Sequence, residues 1–412
     1  MTKQDANIDL SWPEGGITEI PYRIYTDPQI FEREMSRIFC SDSWSYVGLE
    51  VEIPQPGDYL VTQIGNRSVV ITRDQQGVVQ GFANRCAHRG VKVCRRRSGN
   101  ARIFVCPYHQ WSYDARGELR GVPFIKGVNK RGGMPEDFNR EDHNLPRLSI
   151  ATRGGVIFAS FATKLDPLRD YFGETNCHYF DRVFDGRELM VLGYSRQLIP
   201  GNWKLMFENI KDPYHASLLH VFLVTFGLFR ADQKSQVRMD STGKHGLLIS
   251  RKGEQKANTG TKDIANLRED FKLADARLLD PVKEFADDAT VVMQTIWPNL
   301  IVQQQSNTLA MRQIRPTHAG AFELHWTFFG YADDDSEMTQ RRLRQANLMS
   351  SAGLVSADDS EVIKLAQDGI NQYSSSNGVL LMGGRGVADE EHMVTEVAVR
   401  AFYKHYRTVM GW

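Results

Sequence analysis

Two short stretches of the sequence combine cysteine with histidine in a pattern that suits an iron–sulfur centre. Cys86-Ala87-His88 comes first, and Cys106-Pro107-Tyr108-His109 follows after seventeen residues. Zinc sites usually group like ligands, whereas each stretch here has one ligand of each type. Two histidines in place of two cysteines on one iron define a Rieske-type [2Fe–2S] cluster, which transfers single electrons. We therefore predict that these two cysteines and two histidines hold such a cluster.

A second group of candidate metal ligands lies in the stretch NWKLMFENIKDPYHASLLH, residues 202–220. Its first half predicts a helix, which Pro213 disturbs because proline lacks an N–H donor and clashes with the preceding turn. On a regular helix His215 and His220 would point about 140° apart. A shared ion therefore requires a turn or a widened helical segment after Pro213. Two histidines without a metal are the alternative.

Carboxylates for a third ligand occur in residues 353–361, where Asp358 and Asp359 precede a helical pattern. Nonheme iron oxygenases bind iron through two histidines and one carboxylate and leave positions open for dioxygen. Acidic residues at the start of a helix also stabilise it, by about 0.3–1 kcal/mol, through its dipole. The residues alone favour this structural role and do not choose between Asp358 and Asp359.

Composition limits the classes of partner and the compartment. The chain has 412 residues, 41% of them hydrophobic, and a formal net charge of zero. This size favours two or more cores, and the charge gives no electrostatic support for binding nucleic acid or a membrane. The first residues lack the apolar core of a secretion signal, and no run approaches about 18 apolar residues. Because Cys40, Cys94 and Cys177 form no disulfide framework, we expect a cytoplasmic protein without a membrane span.

Hydrophobic patterns predict an α+β fold with two principal domains. We expect an N-terminal arm and an amphipathic helix in residues 1–43, and a small antiparallel β domain with the cysteine–histidine motifs in residues 44–162. A larger catalytic domain, with an antiparallel sheet flanked by helices, is expected in residues 163–412, beginning with a linking region at 163–190. The basic run Arg95-Arg96-Arg97 is either a solvated surface or a docking site for an acidic electron-donor protein.

Three ordered blocks resemble the large (α) subunit of the Rieske nonheme iron aromatic-ring-hydroxylating oxygenases: CAHRG with CPYHQW, then ENIKDPYHASLLH, then AGLVSADDSEV. The resemblance covers essentially the whole chain. It implies that the first block binds the [2Fe–2S] cluster through Cys86, His88, Cys106 and His109. Gln110 stands where glycine is commoner in this motif, and we expect it to alter the loop surface but not the ligation.

The same resemblance assigns roles around a mononuclear Fe(II). It implies that His215, His220 and Asp359 are the iron ligands, with Asp358 in a supporting place. Asn209 corresponds to a family residue near the iron. Asp212 corresponds to the carboxylate that hydrogen-bonds an iron-ligand histidine, here His215, and reaches a cluster histidine, here His109, of a neighbouring subunit.

Assembly and electron supply are also implied by the resemblance. In the family, the cluster and the iron of one subunit lie too far apart for rapid transfer, and a ring of subunits places one subunit's cluster beside another's iron. An α3 or α3β3 oligomer, the latter with a small β subunit, is therefore expected. Electrons would come from NAD(P)H through a reductase, a ferredoxin or both, and pass through Asp212 to the iron, where O2 is used to hydroxylate an arene.

A carboxylated arene is the expected substrate. Strands predicted at 299–307 and 308–316 place Ala310, Arg312 and Ile314 on one face. A buried arginine requires an anionic partner, either a substrate carboxylate or a structural Asp or Glu. Gln305 is a candidate for contacting a group ortho to that carboxylate.

Sequence tracts such as VTFGLFRADQKS and RRLRQANL resemble the branch that acts on benzoates. This branch includes salicylate 5-hydroxylases, anthranilate 1,2-dioxygenases, halobenzoate dioxygenases and, more distantly, terephthalate dioxygenases. Salicylate is the first expectation, and anthranilate or an ortho-halobenzoate is the alternative. Two other classes remain open: a Rieske electron carrier without oxygenase activity, and a structural zinc-binding module.

Overall fold

The computed structural model describes residues 10–251, 264, 267, 272–351 and 353–412. The first nine residues of the predicted arm, and Ala352 at the start of the third motif, lie outside the described residues. The chain divides into two compact units. The smaller unit is Phe39–Leu165, and the larger unit contains the described residues before and after it.

The described residues form short strands and helices throughout both units. In chain order, the strands are β1 (Glu19–Pro21), β2 (Ser45–Leu49), β3 (Asp58–Ile64), β4 (Arg67–Arg73), β5 (Val79–Ala83), β6 (Ser98–Asn100), β7 (Ile103–Val105), β8 (Ser112–Asp114), β9 (Leu119–Gly121), β10 (Ser149–Arg153), β11 (Val156–Ser160), β12 (Leu189–Ile199), β13 (Ser235–Met239), β14 (Gly246–Arg251), β15 (Ala289–Ile296), β16 (Leu300–Gln305), β17 (Thr308–His318), β18 (Ala321–Tyr331) and β19 (Asn377–Val379). The helices are α1 (Arg23–Thr26), α2 (Pro28–Glu34), α3 (Leu168–Phe172), α4 (Glu174–Val183), α5 (Trp203–Lys211), α6 (Ala216–Leu219), α7 (Val221–Thr225), α8 (Ser336–Met349), α9 (Leu354–Gln372) and α10 (Val397–Met410). A π-helical turn, Met35–Phe39, continues α2.

The smaller unit consists of three antiparallel sheets, with strand orders β5-β4-β3-β6, β10-β11-β2 and β7-β8-β9. Two turns of this unit are held by the same pattern of hydrogen bonds. The Oδ1 atoms of Asp74 and Asp114 each accept two backbone N–H groups from the turn that follows. Gly77 and Gly117 complete these turns with φ of 80° and 76°, a region that favours glycine because it has no Cβ.

An aromatic core supports the cysteine–histidine loops of the smaller unit. Phe104 packs edge-on against Tyr59 and Phe82, at centroid distances of 5.3 and 5.5 Å. Cys86 and Cys106 belong to the same buried cluster. Because both cysteines follow closely on strands, β5 and β7, the sheets hold the two loops in place.

The larger unit is built on a seven-stranded antiparallel sheet of order β12-β18-β17-β16-β15-β14-β13. Helix α5 packs on β14, β15 and β17, where Trp203 and Phe207 join Trp297 and Phe402 in an aromatic cluster. The α+β fold with helices flanking an antiparallel sheet is confirmed, and α8 and α10 are among these helices.

Two predicted segments differ in detail from the structure. Residues 163–190, predicted as a linking region, contain α3 and α4, whose Phe172 and Phe180 are fully buried. The amphipathic helix predicted within residues 1–43 is α2, which ends as the π-helical turn, and residues up to Ile38 belong to the larger unit. No helix within the described ranges has both the length and the apolar character needed to cross a membrane.

Candidate metal centres and substrate pocket

The two cysteine–histidine loops of the smaller unit have the same backbone hydrogen bonds. The N–H of Gly90 donates to the carbonyl of Cys86 at 2.9 Å, and that of Gln110 donates to the carbonyl of Cys106 at 3.0 Å. The N–H of each cysteine in turn donates, at 2.8 Å, to the residue that follows its loop. Each loop therefore holds one cysteine and one histidine in the same local geometry.

The side chains of these loops present two sulfur atoms and two unpaired ring nitrogen atoms. The rings of His88 and His109 lie 4.4 Å apart, and their Nδ1 atoms are buried without a hydrogen-bond partner. Cys86 and Cys106 are buried neighbours, and burial raises the pKa of the Cys106 thiol. Unpaired buried nitrogen atoms are costly unless a ligand satisfies them. This donor set fits the two-cysteine, two-histidine ligation of a Rieske cluster.

Two aromatic residues beside the cluster loops were not assigned a role from the sequence. Trp111 stacks on the ring of His88, with centroids 4.9 Å apart and planes 7° from parallel. The Tyr113 hydroxyl accepts the N–H of Ala87 at 3.2 Å, so that its own hydrogen is available to Cys86 Sγ at 3.3 Å. Hydrogen bonds to cluster sulfur tune the reduction potential. Their positions, two and four residues after His109, are the feature of the sequence that could have indicated a place beside the cluster.

Gln110 has φ of 56°, whereas glycine occupies the matching position, Gly90, with φ of 72°. The left-handed region costs a non-glycine residue roughly 1–2 kcal/mol. Its side chain is exposed, and its loop keeps the hydrogen bond found at Gly90. The geometry is consistent with an effect on the loop surface alone, which stays a prediction.

The chain around the histidine pair of the larger unit is interrupted twice. Helix α5 ends at Lys211, before Pro213, and α6 begins only at Ala216. His220 separates α6 from α7 with φ of −89° and ψ of 63°, outside the helical region. The predicted departure from a regular helix is confirmed, and it lets both imidazoles face one point.

That point also receives Asp359. The Oδ1 atom of Asp359 lies 3.1 Å from His220 Nε2 and 3.6 Å from His215 Nε2. One potential ligand atom from each of the three residues lies within 4.8 Å of the others. Two neutral imidazoles and one carboxylate form the facial set that Fe(II) takes in nonheme oxygenases.

The structural role considered for Asp358 and Asp359 as acids at a helix start is wrong. Helix α9 begins at Leu354 with Gly353 as its N-cap, so both aspartates lie in its second turn. Asp359 is 2% exposed. Burial raises the pKa of Asp359, but His215 and His220 outweigh it and hold that pKa below its ordinary value. The carboxylate therefore remains charged inside the protein.

Each histidine also has a carboxylate on its other ring nitrogen. Asp212 Oδ2 lies 3.4 Å from His215 Nδ1, and Asp358 Oδ2 lies 3.2 Å from His220 Nδ1. Such partners orient metal-binding imidazoles and increase their basicity. Burial lowers the pKa of His215, but Asp212 and Asp359 outweigh it and raise that pKa to about 10. A site that attracts positive charge so strongly fits a divalent cation.

Asn209 contacts the same carboxylate from the last turn of α5. Its Nδ2 donates to Asp359 Oδ1 at 3.0 Å and lies 3.5 Å from His215 Nε2. The structure therefore brings Asn209 and Asp212, both named from the sequence, to the three candidate ligands.

A cavity of about 580 Å³, including the space at its mouth, opens on these ligands. Apolar side chains form most of its wall: Ile210, Pro213, Ala216, Leu223, Phe229, Leu248, Val291, Met293, Val355 and Met393. Gln305 and Arg312, the two candidate substrate residues, also line it.

Arg312 is 1% exposed and has no carboxylate within ion-pair distance among the described residues. Its Nε donates to Gln303 Oε1 at 2.7 Å, and its guanidinium carbon lies 4.2 Å from the ring centroid of Trp326. Burial lowers the pKa of Arg312 to about 10, against the opposing effect of Asp359. The structural ion pair considered as an alternative is therefore not found in the part of the chain that the structure describes.

Gln303 and Trp326 contact Arg312, and the sequence alone does not indicate either contact. Trp326 lies directly opposite Arg312 in the β17–β18 pair, and Gln303 lies opposite Ala310 in the β16–β17 pair. Diagonal and opposite residues on one sheet face contact each other. The signal for Gln303 was its spacing of two from Gln305, but the pairing register was needed to place it beside Arg312.

Comparisons with known proteins agree with both halves of this description. Residues 43–131 match the family described as Rieske [2Fe-2S] domain, and residues 172–412 match the ring hydroxylating alpha subunit (catalytic domain). The electron-carrier and zinc-module alternatives are thereby excluded. The large oxygenase component of salicylate 5-hydroxylase from Ralstonia sp is 49% identical, with 98% of this chain and 97% of that protein covered.

Two more distant proteins match nearly the whole chain. The anthranilate 1,2-dioxygenase large subunit from Burkholderia cepacia is 39% identical, with 100% of this chain and 97% of that protein covered. Naphthalene 1,2-dioxygenase from Rhodococcus sp. has the same fold, with a TM-score of 0.79 and 24% identity. The match covers 95% of this chain and 94% of that chain. A Rieske [2Fe–2S] cluster and a mononuclear iron are the cofactors of these two domains. The chain therefore belongs to the family of Rieske nonheme iron ring-hydroxylating oxygenases, as a large (α) subunit.

Proposed function

We propose that this large subunit hydroxylates an aromatic monocarboxylate with a substituent ortho to the carboxylate, salicylate first, in the manner of a salicylate 5-hydroxylase. The observation that carries the proposal is the buried Arg312 guanidinium, which lines the cavity without a protein carboxylate as partner. A substrate carboxylate matches the planar donors of arginine. The 49% identity to a salicylate 5-hydroxylase component supports the choice of acid. Anthranilate or an ortho-halobenzoate, as in the 39% and 31% identical relatives, is the second candidate.

In this proposal the cavity residues have different roles in binding. Arg312 holds the carboxylate at one end, and apolar side chains such as Leu223, Phe229 and Met293 exclude water from the ring. His215, His220 and Asp359 hold the iron, which when bound supplies the activation of dioxygen. Asn209 fixes the Asp359 carboxylate, and the aromatic acid itself brings the negative charge that the buried guanidinium requires.

The test of substrate binding compares two arginines of strand β17. Arg312→Ala should raise KM for the aromatic acid by roughly tenfold to a hundredfold, since a charge-assisted hydrogen bond contributes about 1.5–3 kcal/mol. Arg315→Ala is the matched control, because Arg315 does not line the cavity. If both substitutions changed KM by the same small factor, Arg312 would have a structural role and would not bind the substrate. Product identification by mass, with a panel of benzoates and a surrogate reductase, distinguishes one inserted oxygen atom from two.

We also propose that Asp212 connects His215 with His109 of a neighbouring subunit in an α3 or α3β3 ring, the latter with a small β subunit. In Asp212→Ala, both metals should remain bound while the reduced cluster fails to reoxidise when substrate and O2 are mixed in. Asp358→Ala is the matched control, because it removes the corresponding carboxylate from His220. Normal cluster reoxidation in Asp212→Ala would exclude this route.

Electrons would come from NAD(P)H through a reductase, a ferredoxin or both. The exposed Arg95 and Arg96 support docking of an acidic donor, for which the association rate falls with salt. Arg95→Glu should slow reduction of the cluster and weaken its dependence on ionic strength. If neither the substitution nor added salt changes the rate, this surface does not bind the donor.

A further inference from the structure

The direction of the hydrogen bonds between Arg312 and Gln303 follows from the chemistry of the guanidinium group. A guanidinium has only donors, so the Gln303 side-chain atom that meets Arg312 Nε at 2.7 Å must be its oxygen, Oε1. A second guanidinium nitrogen, Nη2, donates to the same oxygen. The amide of Gln303, 0% exposed, therefore cannot turn around without placing donor against donor.

The orientation of the Gln303 amide determines the orientation of the Gln305 amide. With its oxygen committed to Arg312, Gln303 has only Nε2 left, and this atom donates to Gln305 Oε1 at 3.0 Å. Gln305 must therefore keep its own oxygen toward Gln303. Its Nε2, the atom that remains, has no hydrogen-bond acceptor among the described residues, and Gln305 lines the cavity.

The sheet register explains why three residues from two strands form one chain of bonds. Gln303 and Gln305 alternate on strand β16 and share a face with Ala310 and Thr308, their partners on β17. Arg312 follows Ala310 by two residues on the same face, and diagonal neighbours lie within reach of long side chains. Gln304, between the two glutamines, bonds elsewhere, to the carbonyls of Thr290 and Ser306.

Two donors remain unused at this end of the cavity. They are Gln305 Nε2 and Arg312 Nη1, which likewise has no acceptor among the residues that the structure describes. Buried donors left without an acceptor destabilise a complex. A ligand that fills this end must therefore bring acceptor atoms to both.

We propose that the Arg312–Gln303–Gln305 chain makes this end of the pocket a donor-only surface that selects aromatic carboxylates whose ortho substituent offers an acceptor oxygen. Gln303 is the positioning residue, because it touches no substrate and sets which atom Gln305 presents. The proposal rests on the proposed function, since it takes a carboxylated ring as the occupant.

The proposal discriminates between two close candidates. In salicylate the hydroxyl hydrogen bonds to the adjacent carboxylate, and the oxygen lone pairs face outward as acceptors. In 2-aminobenzoate one amino hydrogen does the same, but the second hydrogen faces outward as a donor, and the nitrogen lone pair is delocalised into the ring. The amino group would thus meet the Gln305 donor with a donor, whereas the hydroxyl oxygen would accept its hydrogen bond.

The experiment measures dissociation constants of salicylate, 2-aminobenzoate and benzoate by calorimetry with the metal-loaded protein. We expect salicylate to bind roughly tenfold or more tightly than 2-aminobenzoate, the ratio that one buried unsatisfied donor produces. Gln305→Leu should reduce this ratio to near one. Gln303→Glu offers oxygen to both neighbours, so that Gln305 must turn and present Oε1, and 2-aminobenzoate should then bind more tightly than salicylate.

Gln304→Leu is the matched control and should leave the ratio unchanged. The Gln304 amide bonds only to groups outside the chain of donors: Nε2 donates to two backbone carbonyls, and Oε1 accepts from Arg182. A wild-type ratio near one, or a ratio unaffected by Gln305→Leu and Gln303→Glu, would overturn the proposal while aromatic acids still bind. Failure of the wild type to bind any of the three acids would instead contradict the proposed function. The two failures are therefore distinguishable, and neither depends on turnover.

Discussion

Two lysines buried on the same helix should respond to the same substitution with opposite sign. Lys204 and Lys211 both lie in α5, and they are 0% and 1% exposed. Lys204 Nζ donates to Glu34 Oε1 at 2.6 Å and to Asn202 Oδ1 at 2.8 Å. Lys211 Nζ is buried without a hydrogen-bond partner among the described residues. We predict that Lys211→Met stabilises the protein and that Lys204→Met destabilises it.

The magnitude for Lys211 follows from its pKa. Burial lowers this pKa from 10.5 to about 7, against a weaker opposing effect of Asp240. At about 1.4 kcal/mol per pKa unit, the charged lysine costs the folded state about 5 kcal/mol. Below pH 7 both folded and unfolded chains bind the proton, and the whole cost is present. Between pH 7 and 10.5 only the unfolded chain binds it, so the free energy of unfolding rises with pH.

Urea unfolding followed by circular dichroism at pH 6 and pH 9 measures the effect. Lys211→Met should raise the free energy of unfolding by about 5 kcal/mol at pH 6 and by about 2 kcal/mol at pH 9. Lys204→Met should lower it by about 3–5 kcal/mol, because Glu34 would be left charged and buried. If Lys211→Met were destabilising, or its effect were equal at the two pH values, the amine would have a partner in solution and the reasoning would fail.

Three further predictions concern the metal centres and their surroundings. Asp359→Ala should lose the mononuclear iron and keep the cluster, seen as iron per chain falling from about three to about two with the [2Fe–2S] absorption unchanged; equal iron content would contradict the ligand assignment. Gln110→Gly should raise the free energy of unfolding by about 1 kcal/mol without changing the cluster's paramagnetic spectrum, because it removes a left-handed non-glycine residue; a destabilised variant would show that the side chain has an unrecognised contact. Burial raises the pKa of Glu208 to about 7 from 4.5, so that the contribution of Glu208 to stability is greatest below pH 4.5 and falls by about 3 kcal/mol as the pH rises to 7. Glu208→Gln should remove this decline in unfolding experiments, and an unchanged pH profile would place the titration elsewhere.

Local chemistry explains which parts of the sites were predictable. The cluster ligands lie within two loops of four residues or fewer, so that residue type and spacing nearly define the donor set. Pro213 likewise predicts the end of α5, and therefore the interruption of the helix that His215 and His220 need in order to bind one ion. In each case the deciding interactions occur between residues close together in sequence.

The failures arose where a distant segment decided the outcome. The sequence predicts a helix start at Asp358 and Asp359 because the helical pattern after them is clearer than the one before. The structure begins α9 at Leu354 and packs it against α5. That packing, and not a cap, turns Asp359 toward the histidines. The prediction of a linking region at residues 163–190 also fails, since α3 and α4 become helical by burying aromatic side chains on the sheet.

By itself, the sequence determined the donor set of the cluster loops, the histidine pair that follows Pro213, the alternating faces of β16 and β17, and the presence of a buried cation among apolar residues. The tertiary structure alone decided that Asp359 meets His215 and His220, that Gln303 holds Arg312, and that Lys204 has a carboxylate partner where Lys211 has none. The reason is physical: short-range spacing limits backbone angles and neighbours within one loop or strand. Contacts between paired strands, or between segments distant in sequence, depend on strand register and helix packing, which only the assembled core defines.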